Sequence, residues 1–193
     1  MNSRNFSKRV NWLRQIDGNW TLFLDRDGVI NKRLMDDYVK TWEEFEFIPG
    51  VLDAIKVFNS IFGYVIIVSN QQGIGKGIMK EDDLNNIHAK MIEEINRNDG
   101  RIDSIFFSPD LAKEGSIDRK PGIGMALKAK KVFPVINFKK SVMVGDTLND
   151  MKFGKRLKML TVLISDNAKI PGEYPELIDI HFENLYDFSI AIK

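Results

Sequence analysis

The sequence predicts an α/β fold, a doubly wound parallel sheet with helices on both faces. Three observations predict it. Short apolar runs suited to buried strands recur along the chain, segments of helical periodicity separate them, and Pro-Gly pairs mark two helix starts. The strands are expected at Trp20–Leu24, Tyr64–Val68, Ile102–Phe107, Ser141–Val144 and Thr161–Ile164, with a further late strand near His181. Between them, Val51, Ile55, Phe58 and Phe62 fall at helical spacing, as do Leu84, Ile87, Met91, Ile92 and Ile95. A third set is Ile123, Ala126, Leu127 and Val132. Pro49-Gly50 and Pro121-Gly122 precede two of these helices. Sheets of this kind place ligands at the carboxyl ends of their strands, so the polar residue closing each apolar run is the place to look for chemistry.

Bulk properties narrow the function. The 193 residues fit one domain with a sizeable core, and 44% hydrophobic with 28% charged residues describes an ordinary globular chain. Lys and Arg number 28 against 27 acidic residues, so net charge supplies no general attraction to nucleic acid. There is no cysteine, which excludes disulfides, thiolate zinc sites and cysteine nucleophiles. No stretch approaches the roughly 18 apolar residues of a membrane span, and the amino terminus lacks the apolar core of a secretory signal. A cytoplasmic location, monomeric state and small-molecule partner are the resulting expectations, with neither membrane nor nucleic acid as partner. Residues 1–19 form an extension carrying Arg4, Lys8, Arg9 and Arg14, and residues 20–193 a single domain. The extension reads as a short helix packed through Phe6, Trp12 and Leu13, with a docking arm as the alternative.

Four strand-end motifs carry chemistry. The first apolar run ends in Asp25-Arg26-Asp27-Gly28. Two carboxylates one residue apart point differently, so one can attack phosphorus while the other handles the leaving-group proton. An ordinary turn is the plain alternative. The second run ends in Ser69-Asn70, a hydroxyl and an amide for phosphate oxygens, or simple loop polarity. The Gly73-Ile74-Gly75-Lys76-Gly77 segment after it lacks the spacing of either nucleotide-binding glycine motif and is expected to be a mobile loop beside the substrate. Arg119-Lys120 precedes a helix. There a lysine can offset charge on nucleophile and phosphoryl group and an arginine can fork onto a further anion, though basic pairs are also common on solvated surfaces. The fourth run delivers Asp146, with Asp150 one turn on. Asp146 is either a helix N-cap or, with Asp25 and a main-chain carbonyl, an oxygen ligand for magnesium. His88 lies on an apolar helix face and reads as packed, and His181 has no partner motif.

In order and placement these motifs resemble the haloacid dehalogenase superfamily of phosphohydrolases over residues 20 to about 190. Asp27-Gly28-Val29-Ile30-Asn31, Tyr38-Val39, Phe45 through Val51, Asn70-Gln71 and Arg119-Lys120-Pro121 are similar to its heptose bisphosphate and histidinol phosphate phosphatase branch. The resemblance implies a Rossmann-like sheet without a large cap domain. It also implies an aspartyl-phosphate mechanism, with Asp25 as nucleophile and Asp27 as general acid and base. Ser69 and Lys120 would contact the phosphoryl group, Asn70 and Arg119 the substrate. Asp25, Asp146 and the Asp27 carbonyl would hold Mg2+. Two departures stand out. The branch's structural zinc loop is replaced by Ser108, Asp110, Ser116 and Asp118, and Thr147 stands where the heptose enzymes often have lysine. A sugar phosphate such as D-glycero-D-manno-heptose 1,7-bisphosphate is the expected substrate. Histidinol phosphate and a nucleic-acid 3′-phosphate are the alternatives. A phosphoacceptor signalling domain would use similar residues but has no use for Asp27 beside its aspartate.

Overall fold

A computed structural model of the chain describes residues 12–35 and 37–193. Six parallel strands form one sheet: β1 (Thr21–Leu24), β2 (Tyr64–Asn70), β3 (Ser104–Ser108), β4 (Ser141–Gly145), β5 (Leu160–Ile164) and β6 (Ile180–Phe182). Their spatial order is β3-β2-β1-β4-β5-β6. The chain winds outward from β1 through β2 to β3, then crosses and winds outward the other way from β4. The order therefore reverses between β1 and β4, and a crevice opens beyond their carboxyl ends.

Strand periodicity of two dictates how the sheet is covered. Leu22, Leu24, Val65, Ile67, Val142 and Val144 face one layer of helices, while Phe23, Ile66, Val68 and Met143 face the other. The first layer is α1 (Val51–Ile61), α3 (Glu81–Arg97) and α7 (Leu185–Ile192), joined by α2 (Gln72–Gly75), a single turn. The second holds α4 (Gly124–Val132) and α5 (Leu148–Arg156), and a short turn, α6 (Ile170–Glu173), follows β5. Because both faces are buried, β1 and β4 read as unbroken apolar runs rather than alternating ones. No described segment between strands is large enough for a cap domain. Residues 25–35 and 37–50 form only a flap, in which Asn31 bridges Phe47 and Trp42, Phe45 and Phe47 pack edge and face.

The structure departs from the sequence expectations in three places. The third amphipathic set packs in a different phase from the one its spacing predicts. In α4 the buried residues are Met125, Ala126 and Ala129, whereas Leu127 and Val132 are exposed. Small alanines set that helix close to the sheet and turn its larger residues outward. The glycine segment after β2 is also not simply a loop. Residues 72–75 make a helical turn, and a Cβ on Gly75 would stand 2.4 Å from the Pro109 carbonyl oxygen. β3 begins at Ser104, two residues later than the apolar run suggests. At the amino end, Trp12 and Ile16 pack on the core and Leu13 is buried in it, while Phe6 lies outside the described residues. Among the described residues no helix is long and apolar enough to cross a membrane.

Helix α5 matters most for function because it runs from the crevice. It lies on the sheet through Gly154, where an added Cβ would stand 2.7 Å from Thr161 Cγ2 and 3.0 Å from Met143 Cβ. A branched side chain there must push α5 off β4 and β5. Gly154→Val is expected to lower stability by about 1–3 kcal/mol, the usual cost of overpacking. A shift in the urea unfolding midpoint at unchanged slope checks it, and an unshifted midpoint would show that the contact is loose.

Candidate active site

The crevice gathers the four motifs. Asp25 is the first residue past β1 and its amide donates to Val144 O at 2.9 Å, so the strand pairing continues one residue beyond the sheet and fixes it against β4. The backbone then turns: Ile30 N and Asn31 N donate to Arg26 O, at 2.8 and 3.1 Å. Gly28 allows this turn with φ of 88°, and its missing side chain leaves room for Asp146, whose Oδ2 lies 2.1 Å from where a Cβ would be. The chain reversal thus presses the first carboxylate loop onto the end of β4.

Lys120 is fully buried at the centre. Its Nζ donates to Val68 O at 2.7 Å and stands 2.9 Å from Asp25 Oδ1 and 2.6 Å from Asp150 Oδ1. Its backbone is fixed by the Asn70 side chain, which accepts from Lys120 N at 2.9 Å and donates to Lys120 O at 3.0 Å. Asp150 closes the arrangement from α5. Its Oδ2 accepts from Thr147 N at 3.0 Å, a capping box that makes Thr147, not Asp146, the N-cap of the helix.

Asp27 faces a separate group of donors. Arg26 Nη2 reaches both of its oxygens, at 2.8 and 3.0 Å, Asn31 Nδ2 donates at 3.0 Å and Gln71 Nε2 at 2.8 Å. The same Gln71 nitrogen donates to Ser69 Oγ at 2.8 Å, tying that hydroxyl to Asp27. Burial works to raise the Asp27 pKa, but the Arg26 charge and these hydrogen bonds outweigh it and hold the carboxyl below its ordinary value. Arg26 is itself buried, and its Nη1 lies 3.3 Å from His88 Nε2. Arginine can only donate, so Nε2 accepts and the imidazole is neutral.

Asp25 and Asp146 behave oppositely. Burial raises Asp25 to about 6 despite Lys120, and raises Asp146 to about 8, with the Asp25 charge adding to the effect and Arg33 opposing it. Oxygen atoms of Asp25, Asp146 and Asp150 lie within 4.8 Å of one another. An all-oxygen donor set this crowded and this reluctant to ionise suits a hard divalent cation such as magnesium. Each of the three already has a cation: Lys120 stands against Asp25 and Asp150, and Arg33 against Asp146.

A cleft of about 410 Å³ opens over this centre. Asp25, Asp27, Asn70, Arg119 and Lys120 line it, together with Arg33, Tyr38, Gln72 and Lys76. Gln72 Nε2 donates to Tyr38 Oη at 2.9 Å and Lys76 Nζ sits 5.2 Å above the Tyr38 ring. Arg119 Nη1 donates to Asp110 O at 3.0 Å. The positions in place of the zinc loop are held by local bonds: Asp110 N to Ser108 Oγ at 3.3 Å, Asp118 N to Ser116 Oγ at 3.1 Å, and an ion pair of Asp118 with Lys128 at 2.7 Å. His181 is a structural residue of β6, its Nε2 2.6 Å from Ser165 O. Arg26, Arg33, Gln71 and Asp150 are site residues to which the motifs assign no role. Gln71 had a signal, since it stands two residues after Ser69 and extended backbone puts both on one side.

His88 supplies a pH test. Burial, then the Arg26 charge, depress its pKa to about 3. A depressed folded-state pKa means that the unfolded chain binds the proton first. Stability is therefore complete above the unfolded value near ~6.5 and falls as pH drops toward 3. The His88 ring signals in a proton NMR titration are expected to stay those of a neutral imidazole from pH 8 to 5. A midpoint near 6.5 would show the ring to be solvated and unpaired with Arg26.

Comparison with known proteins shows the family. Residues 19–184 match the family model described as polynucleotide kinase 3 phosphatase. A D-glycero-alpha-D-manno-heptose-1,7-bisphosphate 7-phosphatase of Mycobacterium bovis is 31% identical over 173 residues, 90% of this chain and 91% of that one. The corresponding beta-anomer enzyme of Rhodopseudomonas palustris is 40% identical over 141 residues, 69% of this chain and 76% of that one. A D,D-heptose 1,7-bisphosphate phosphatase of B. bronchiseptica, solved with magnesium and phosphate, superposes with a TM-score of 0.79 at 28% identity, covering 89% of this chain and 96% of its own. The chain belongs to the polynucleotide kinase 3 phosphatase family and is a haloacid dehalogenase-like phosphatase.

Proposed function

We propose that this phosphatase removes one phosphate from a sugar bisphosphate of the D-glycero-D-manno-heptose 1,7-bisphosphate type, through a phosphorylated Asp25. One observation carries the reading: Asp25 stands at the crevice with the buried Lys120 ammonium 2.9 Å from its Oδ1, Asp146 on the neighbouring strand end and Asp27 two residues on. In this reading a carboxylate oxygen of Asp25 attacks phosphorus. Lys120 offsets charge on nucleophile and phosphoryl group, and Ser69 donates to a phosphoryl oxygen. Asp27 gives a proton to the departing sugar oxygen and later takes one from the water that hydrolyses the acyl phosphate. Its lowered pKa suits the second task. For the first, an approaching phosphate dianion raises that pKa, since like charge disfavours ionisation. Asn70 acts chiefly by fixing Lys120 and has one amide hydrogen left for substrate. Asp25, Asp146 and the Asp27 carbonyl would hold magnesium, which when bound would supply positive charge beside the phosphoryl oxygens.

Arg119, Lys76 and Arg33 line the cleft and give it positive charge beyond the single phosphate under attack. That supports a doubly phosphorylated substrate and assigns Arg119 to the phosphate that is not cleaved. The family name favours a second reading, hydrolysis of a 3′-phosphate on a nucleic-acid end. Phosphate release from the heptose bisphosphate, its monophosphate, histidinol phosphate and a 3′-phosphorylated oligonucleotide separates the readings. The bisphosphate is expected to show the highest kcat/KM, and Arg119→Ala is expected to raise KM for it while sparing the monophosphate. Equal losses on both would remove Arg119 from the second phosphate, and preference for the oligonucleotide would replace the sugar reading.

Asp27→Asn tests proton transfer. The loss is expected to be roughly 10²–10⁴-fold for an alkyl phosphate and much smaller for a nitrophenyl phosphate, whose leaving group needs no proton. The same factor on both substrates would make Asp27 a structural residue.

A further inference from the structure

Arg33 makes a contact that neither the motifs nor the proposed chemistry uses. Its Nη2 lies 3.3 Å from the Asp27 main-chain carbonyl and 3.0 Å from Asp146 Oδ1, while Nη1 lies 3.0 Å from Asp146 Oδ2. One nitrogen is thus shared between two oxygens from the ends of β1 and β4. Those are two of the oxygens assigned above to magnesium, and this inference rests on that assignment. Magnesium binds oxygen ligands closely, so an ion held by the Asp27 carbonyl and Asp146 would compete with the guanidinium for them. The guanidinium already reaches both oxygens of Asp146, and Gly28 lies close on the Oδ2 side, where an added Cβ would stand 2.1 Å from that atom. The two cations therefore compete for the same oxygens.

We propose that Arg33 is an exchangeable internal cation. It neutralises Asp146 and caps the Asp27 carbonyl, and it swings away when a divalent ion takes these oxygens. The position permits the movement. Residue 32 is anchored, its amide donating to Glu46 O at 2.8 Å, but Arg33 is one residue beyond that anchor and its side chain is 43% exposed against 15% for Asp146. The displaced guanidinium remains lining the cleft with Lys76 and Arg119. Arg33 is then a positioning residue for the ligand set: it holds the Asp146 carboxyl aimed before the ion arrives, at the cost of competing with it.

The test uses the full chain stripped with a chelator and dialysed, with magnesium chloride as the only ligand. Calorimetric titration gives the dissociation constant, and thermal unfolding is followed with and without saturating magnesium, for wild type, Arg33→Gln and Asp146→Asn. Arg33→Gln is expected to bind magnesium roughly 3–10-fold more tightly, the value of a modest ion pair. It is also expected to unfold at a lower temperature than wild type without magnesium and at the same temperature with it, since in the loaded protein Arg33 has already left. Unchanged or weaker magnesium affinity would overturn the exchange. So would an equal fall in unfolding temperature in both conditions, because that result leaves the guanidinium in place and any gain in affinity to charge alone. Asp146→Asn that binds magnesium as well as wild type would instead overturn the metal assignment itself.

Discussion

The crowding of negative charge where the sheet reverses direction governs the rest of the structure. Asp25, Asp27, Asp146 and Asp150 converge on one crevice, two of them, Asp25 and Asp150, buried and the other two half-buried. Unpaired, such charges would be untenable, since burying an ionised carboxylate costs far more than any local contact returns. Each finds a cation. Lys120 stands between Asp25 and Asp150, Arg26 clamps Asp27 and Arg33 faces Asp146. Removing one partner from a buried pair of this kind typically costs ~3–5 kcal/mol. The site is therefore also a fold constraint, joining β1, β4, α5 and the segment before α4.

The pairing divides the carboxylates by chemistry. Burial dominates Asp25 and Asp146, which are hard to ionise and which a divalent ion would relieve. At Asp27 the Arg26 charge, with hydrogen bonds from Arg26, Asn31 and Gln71, outweighs burial, so this carboxyl ionises easily. Environments that push neighbouring carboxyl groups apart mark separate tasks. Here the division follows from geometry: β1 aims Asp25 into the sheet-end crevice, and the Gly28 turn sends Asp27 sideways toward α3 and His88.

Much of this is legible in the sequence, for a physical reason. Both faces of the central strands are covered, so β1, β2 and β4 appear as apolar runs, and the residue where each run breaks is the residue delivered to the crevice. The breaks alone point to Asp25, Ser69 and Asp146. Lys120 is legible through its motif rather than a strand. What stays hidden depends on side chains from distant elements meeting. Arg26 looks like a solvated residue between two acids, yet it is buried because β1 is central. Arg33 is an ordinary loop arginine until the flap folds back onto Asp146. The α4 face is misleading because alanines, not Leu127 or Val132, carry its packing. The short β6 gives too few residues to delimit by pattern.

The claim on which the account depends most is that Asp25 carries the phosphoryl group during turnover. Rapid acid quench of the enzyme with substrate, borohydride reduction and peptide mass spectrometry test it directly. A phosphoaspartate is reduced to homoserine, so the account predicts homoserine at position 25, formed only with substrate and absent from Asp25→Asn. Reduction at Asp27 or Asp146 instead, or an unmodified Asp25 peptide under conditions of full turnover, would contradict it.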